Sequence, residues 1–181
     1  MCAAGTHSKP GISVKTLVLG LGNTILCDDG AGIYVARELV GRLGGAADVR
    51  EAELAGLDLI ELLNGYERAY IIDAIQLDEE EPGTVFRMKP DDIRSTPRLT
   101  SFHDIDLVTA LELGKRLELS MPSDVIIFGV QAEDARTLRE GCTGAVSRII
   151  PLLAQEIAGE IEGSPHETIS KSLSERSKGR A

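Results

Sequence analysis

Positive charge is scarce in this chain. Lysine and arginine number 19 against 29 aspartates and glutamates, a formal net charge of -10 over 181 residues. Nucleic-acid binders draw most of their affinity from neutralising phosphates, so no nucleic-acid partner is expected. Long apolar runs are missing as well, since a membrane-crossing helix needs about 20 consecutive apolar residues. The first ten residues lack the apolar segment of a secretory leader. A cytoplasmic monomer with no membrane partner is the expectation. Cysteine occurs only as Cys2, Cys27 and Cys142, with no CxxC pair, which argues against a disulfide scaffold and against a thiolate zinc site. The Gly-Xaa-Ser-Xaa-Gly pattern of a serine nucleophile elbow is absent. Histidine is reduced to His7, His103 and His166, of which the first and last fall in expected loose termini.

The remaining pattern is that of strands alternating with helices. Val14 to Leu19 is an apolar, β-branched run that reads as a strand buried on both faces. Residues 31–43 carry Ile33, Val35, Ala36, Leu39, Val40 and Leu43 at helical spacing. A weak strand over 48–54 and a short helix over 57–63 follow. A third strand is expected to end at Asp73, and 84–88 to return antiparallel to it, because a parallel return needs a longer crossover. Residues 89–102 read as loop, 104–117 as a helix, 125–130 as a buried strand, and 146–161 as a helix that Pro151 should kink or restart. The expected fold is a three-layer α/β/α sandwich around a mostly parallel, mixed sheet of about five strands. One domain over 13–162 is expected, flanked by a loose arm (1–12) and a disordered tail (163–181).

In open α/β sheets, ligands bind beyond the carboxyl ends of the parallel strands. Asp29 follows the first strand, Asp73 closes the third, and His103 precedes the long helix, so the three can converge there. Two carboxylates and an imidazole suit a divalent first-row metal ion with open coordination positions. Each residue also has a plainer reading. Asp28 or Asp29 can cap the helix that begins near Ala31, Asp73 can form a turn, and His103 can be a loop residue. Two consecutive acids, however, leave one surplus to capping. The pair Gly20 and Gly22 invites a dinucleotide-loop reading, but Ile25 stands where that loop wants a small residue and the two acids would repel phosphate. Cys27 reads as a packing residue rather than a nucleophile.

The body from about Lys15 to Glu162 resembles the hydrogenase maturation endopeptidases. The resemblance rests on Gly20-Leu21-Gly22-Asn23 followed by Asp28-Asp29-Gly30-Ala31-Gly32, on Ile71-Ile72-Asp73-Ala74, and on Ser101-Phe102-His103-Asp104. It implies an endopeptidase that removes a C-terminal peptide from the nickel-loaded large-subunit precursor of a nickel-iron hydrogenase. It also implies that Asp29, Asp73 and His103 are the catalytic and metal-binding set. Gly22, Asn23, Asp28 and Gly56 are the substrate-binding residues expected from the matching motifs. The nickel would arrive with the precursor, and no resident organic cofactor is expected. The alternative is a nickel-binding chaperone that grips the large subunit without cutting it. One departure stands out: many members carry an acid and Gly-Gly-Thr after the second strand, where this chain reads Leu54-Ala55-Gly56-Leu57. That change bears on which precursor is chosen.

Overall fold

The computed structural model describes residues 14–53, 56–95 and 104–173. The order of elements is β1 (Thr16–Leu21), a 3-10 turn (Cys27–Gly30), α1 (Ala31–Leu39), β2 (Asp48–Ala52), α2 (Asp58–Leu63) and β3 (Arg68–Ile75). Then come β4 (Val85–Met88), α3 (Pro90–Ser95), α4 (Asp104–Arg116), β5 (Asp124–Gln131), α5 (Gly144–Glu162) and β6 (Lys171–Ser172). The six strands lie in the order β2-β1-β3-β5-β4-β6.

Alternation along the central strands makes the three layers. Leu17, Leu19 and Leu21 of β1 face the same side as Ala69 and Ile71 of β3 and Ile127 of β5, where they meet Leu59 and Leu63 of α2 and Leu107 and Leu111 of α4. Val18, Tyr70, Ile72, Ile126 and Phe128 face the other side, against Val35 and Leu39 of α1 and Leu153 and Ile157 of α5. With helices on both faces, the inner strands can be apolar throughout, and all six residues of β1 are buried. At about 25 cal/mol per Å² of apolar surface removed from water, this two-sided core is the main stabilising term.

The sheet has six strands, one more than the sequence pattern predicts. The additional strand is β6, which pairs in parallel with β4 at Phe86↔Lys171 and Arg87↔Ser172. Residues 169–173, expected to belong to a loose tail, are held against the body, while 164–168 are exposed. The buried Glu156 carboxylate of α5 holds this segment by accepting the N–H of Ile169 at 2.8 Å, the N–H of Ser170 at 3.1 Å and the Ser170 hydroxyl. Leu173 inserts into the core.

Other boundaries also shift, each for a local reason. β3 does not stop at Asp73, because its pairing with β5 continues through Asp73↔Gly129 to Ile75↔Gln131. β4 runs antiparallel as expected, but it pairs with β5 and not with β3, whose edge β5 already occupies. α1 ends at Leu39, since Val40 turns extended (ψ 124) and Gly41 takes φ +80. Within the expected loop after β4, Pro90 opens the short helix α3, where its missing N–H costs nothing. α5 passes through Pro151 without interruption, with that residue on the exposed side.

Candidate active site

Close backbone packing builds the site. Gly32, in the first turn of α1, lies so near the sheet that an added Cβ would fall 2.2 Å from the Ile72 carbonyl oxygen and 2.3 Å from that of Leu21. Gly20 in turn leaves room for the Gly32 carbonyl, 2.3 Å from where its own Cβ would stand. The start of α1 thus rests on the carboxyl ends of β1 and β3. The 3-10 turn carrying Asp29 comes immediately before it, and Asp73 immediately follows Ile72. Both carboxylates are buried at this end of the sheet, Asp29 4% and Asp73 1% exposed. Asp73 Oδ1 accepts the N–H of Ala74 at 2.9 Å. His103, the third expected member, lies outside the described residues; the helix that follows it, α4, begins at the next residue.

The adjacent acids have separate tasks. Asp28 is fully buried and points away from solvent into the connection between β5 and α5. Its Oδ2 accepts the N–H groups of Glu133 (2.9 Å) and Asp134 (3.0 Å) and the Thr143 hydroxyl (3.0 Å), while Oδ1 accepts the Thr143 N–H at 2.6 Å. Its own N–H is donated to the Asp134 carbonyl at 2.9 Å. Asp28 is therefore the staple that ties the Asp29 turn to the 132–143 loop, a structural task beside the substrate contact expected of it. The N-cap position of α1 is Gly30, which has no side chain to cap the helix.

Gly22, also an expected substrate contact, has a structural task of its own. It is buried at φ +137, its N–H donates to the Ala52 carbonyl at 3.3 Å, and a Cβ there would stand 1.9 Å from the Asp29 carbonyl oxygen. It positions the Asp29 turn. Asn23 is half-exposed and its side-chain oxygen accepts the Ile25 N–H at 3.1 Å, forming the local turn after β1. Gly56 takes φ +98 with open space around it and supplies the carbonyl that receives the Leu59 N–H at the start of α2. Its neighbours Leu54 and Ala55 lie outside the described residues.

The 132–143 loop is the part that sequence reasoning missed. Arg139 donates from Nη2 to the buried Cys27 sulfur at 2.8 Å, and a backbone bridge joins Leu26 to Arg139. Contact with Cys27 raises the Arg139 pKa above its ordinary value. Asp134 caps the turn that follows it, and hydrogen bonds from Thr137, then from the backbone of Arg136, hold its carboxyl down at about 2. Burial pushes the Cys142 thiol up to about 12, with the Asp28 charge adding to the effect. One signal was available, since Thr143 directly precedes an amphipathic helix as a helix-capping residue would.

Comparison with known proteins agrees with this architecture. The family model described as hydrogenase maturation protease matches residues 33–160. The chain is 26% identical over 164 residues to the hydrogenase 2 maturation protease of Escherichia coli K12, covering 86% of this chain and 99% of that protein. It is 28% identical over 173 residues to the hydrogenase expression/formation protein HupD of Rhodobacter capsulatus, covering 88% and 79%. Among solved structures, the maturating endopeptidase HybD of E. coli superposes with a TM-score of 0.69 at 22% identity, over 82% of this chain and 93% of that one. The [NiFe] hydrogenase maturation protease HybD of Thermococcus kodakarensis superposes with a TM-score of 0.62 at 28% identity, over 81% and 98%. With a chain-length alignment, a matching family model and a shared fold all in agreement, this protein belongs to the hydrogenase maturation proteases.

Proposed function

We propose that this protease removes a C-terminal peptide from the nickel-loaded large-subunit precursor of a nickel-iron hydrogenase, and that Asp29, Asp73 and His103 recognise the nickel. The observation that carries the reading is the pair of buried carboxylates at the carboxyl ends of neighbouring parallel strands. Burying ionisable groups is costly, and two carboxylates buried together at the ligand-binding end of a parallel sheet suit a cation or acid-base chemistry. Two carboxylates and an imidazole provide oxygen and nitrogen donors for a divalent first-row ion, and they leave positions open for ligands from the substrate.

On this reading the nickel is part of the substrate, held by the precursor, and its presence is the check that insertion has preceded cutting. Completing its coordination fixes the neighbouring peptide relative to the carboxylates, an orientation effect. Lewis-acid polarisation of a water or of the scissile carbonyl is the chemistry that such an ion supplies. Asp28 and Gly22 act indirectly by fixing where the Asp29 turn sits.

The test is the intact mass of the nickel-loaded precursor after incubation with a catalytic amount of this protein. Loss of one C-terminal peptide, dependent on nickel and abolished in folded Asp29→Asn, Asp73→Asn and His103→Ala variants, is the expected result. A precursor of unchanged mass bound stoichiometrically would instead identify a chaperone that does not cut.

A further inference from the structure

β2 is the end strand of the sheet, and among the described residues it pairs only with β1. The N–H and C=O of one residue in an extended strand point to the same side and alternate along it. The Ala52 carbonyl faces β1, where it accepts the Gly22 N–H. The main-chain groups of Val49 and Glu51 therefore face the open edge. Unpaired strand edges invite pairing with another chain, and proteins that do not use such an edge commonly shorten or cover it.

A cleft of about 760 Å³ runs beside this edge, between β2 and α2, with Arg50, Ala52, Glu53, Glu61, Leu62 and Tyr66 among its walls. Its volume is that of a ligand cleft. Asp58 also lines it, so three acids stand against Arg50 and Lys15. Lys15 is drawn over the Tyr66 ring at 4.6 Å. The fourth acid, Glu51, is engaged by Arg37 of α1 at 2.9 Å. The cleft walls thus carry an excess of negative charge. The open edge also leads to the site: it ends at Ala52, bonded to Gly22, and Gly22 is packed on the Asp29 carbonyl.

From these observations we infer that the outer edge of β2 and its cleft take an extended, basic segment of the hydrogenase precursor by strand addition, guiding the chain toward Asp29 and Asp73. Main-chain pairing with Val49 and Glu51 supplies affinity that tolerates sequence change, and the acids select lysine or arginine. This inference rests on the proposed precursor-processing activity. It assigns specificity to backbone pairing and cleft charge in addition to the metal ligands.

Two measurements on the full-length protein test it. Amide hydrogen exchange is followed at Val49 and Glu51 with and without a synthetic peptide matching the precursor's C-terminal segment, and cleavage kinetics are compared with Glu53→Lys/Glu61→Lys, both exposed positions. Protection of both amides by the peptide, loss of that protection with an N-methylated peptide, and a KM raised about tenfold at little-changed kcat are expected. Cleavage by wild type with no protection and an unchanged KM overturns the docking while the activity stands. Protection without cleavage supports the docking and removes the activity reading. Amides already protected in the free protein would show that its own residues or a second copy cover the edge, which also overturns the proposal.

Discussion

Replacing Asp28 by asparagine is expected to damage the fold more than replacing Asp29. The buried Asp28 carboxylate accepts three hydrogen bonds from backbone N–H groups, one from the Thr143 hydroxyl and a long one from the Cys27 thiol. Hydrogen bonds to a charged group contribute about 1.5–3 kcal/mol each. An amide preserves the shape, but it turns an NH₂ toward either the Thr143 N–H or the paired N–H groups of Glu133 and Asp134. At least one donor then faces a donor without water to relieve it. Allowing for partial rearrangement of the loop, the cost is about 3–5 kcal/mol. At roughly 2–4 °C per kcal/mol for a domain of this size, the unfolding midpoint should fall by about 6–20 °C. Thermal unfolding followed by circular dichroism reads this directly, and the intact-mass assay run well below the midpoint reads activity. Asp29→Asn serves as the control that removes the proposed nickel ligand without removing the staple. An Asp28→Asn protein that melts within a degree or two of wild type would refute the account of how the Asp29 turn is fixed.

Gly22→Ala should reduce both stability and cleavage, because the new methyl would overlap the Asp29 carbonyl and φ +137 is strained for any L side chain; denaturant unfolding and precursor cleavage check the two effects. Removing residues 164–181 should lower the unfolding midpoint, since it strips β6 from β4 and leaves the buried Glu156 carboxylate without the three donors it now has, and chemical denaturation measures the loss. Tyr70→Phe should be neutral or stabilising by about 1 kcal/mol, because the buried hydroxyl has no hydrogen-bond partner among the described residues. The same variant should hold its stability better in alkali. Burial pushes the Tyr70 phenol from 10.0 up to about 12, with the Glu160 charge adding to the shift. The unfolded phenol therefore ionises first, and the wild-type contribution is full below pH 10 and lost as pH rises to about 12. An identical alkaline slope in the two proteins would refute this.

The fold was legible where one physical signal dominated. The apolar runs at 17–19, 69–72 and 125–130 have no polar alternation because helices cover both faces, and this is what distinguishes buried parallel strands in a sequence. Their true ends were not legible, since β3 extends past Asp73 only because β5 offers a matching partner as far as Gln131. The partner of β4 was hidden for a similar reason: a short connection fixes direction but says nothing about an intervening strand. Glu156 reads in isolation as one more helix acid. Only the fold reveals that it is buried and that Ile169 and Ser170 close over it, turning an apparently polar tail into an edge strand.

The tandem acids of the site make the same point about chemistry. Local sequence established that one was surplus to capping, but the side chains of Asp28 and Asp29 are distinguished by what comes from more than a hundred residues later. The 132–143 loop presents the donors of Glu133, Asp134 and Thr143 to the first of them, so that Asp28 becomes part of the scaffold. Asp29 is then held at the strand ends by Gly22 on one side and by the packing of Gly20, Gly32 and Ile72 on the other. The glycines are needed because backbone must touch backbone there, and the first acid is needed because a turn holding a buried charge has to be anchored. On the proposed function, the motif Asp-Asp-Gly-Ala-Gly is a support followed by a metal-recognising carboxylate, and its two halves should separate experimentally. Loss of the first acid should appear chiefly as instability, and loss of the second chiefly as inactivity in a folded protein.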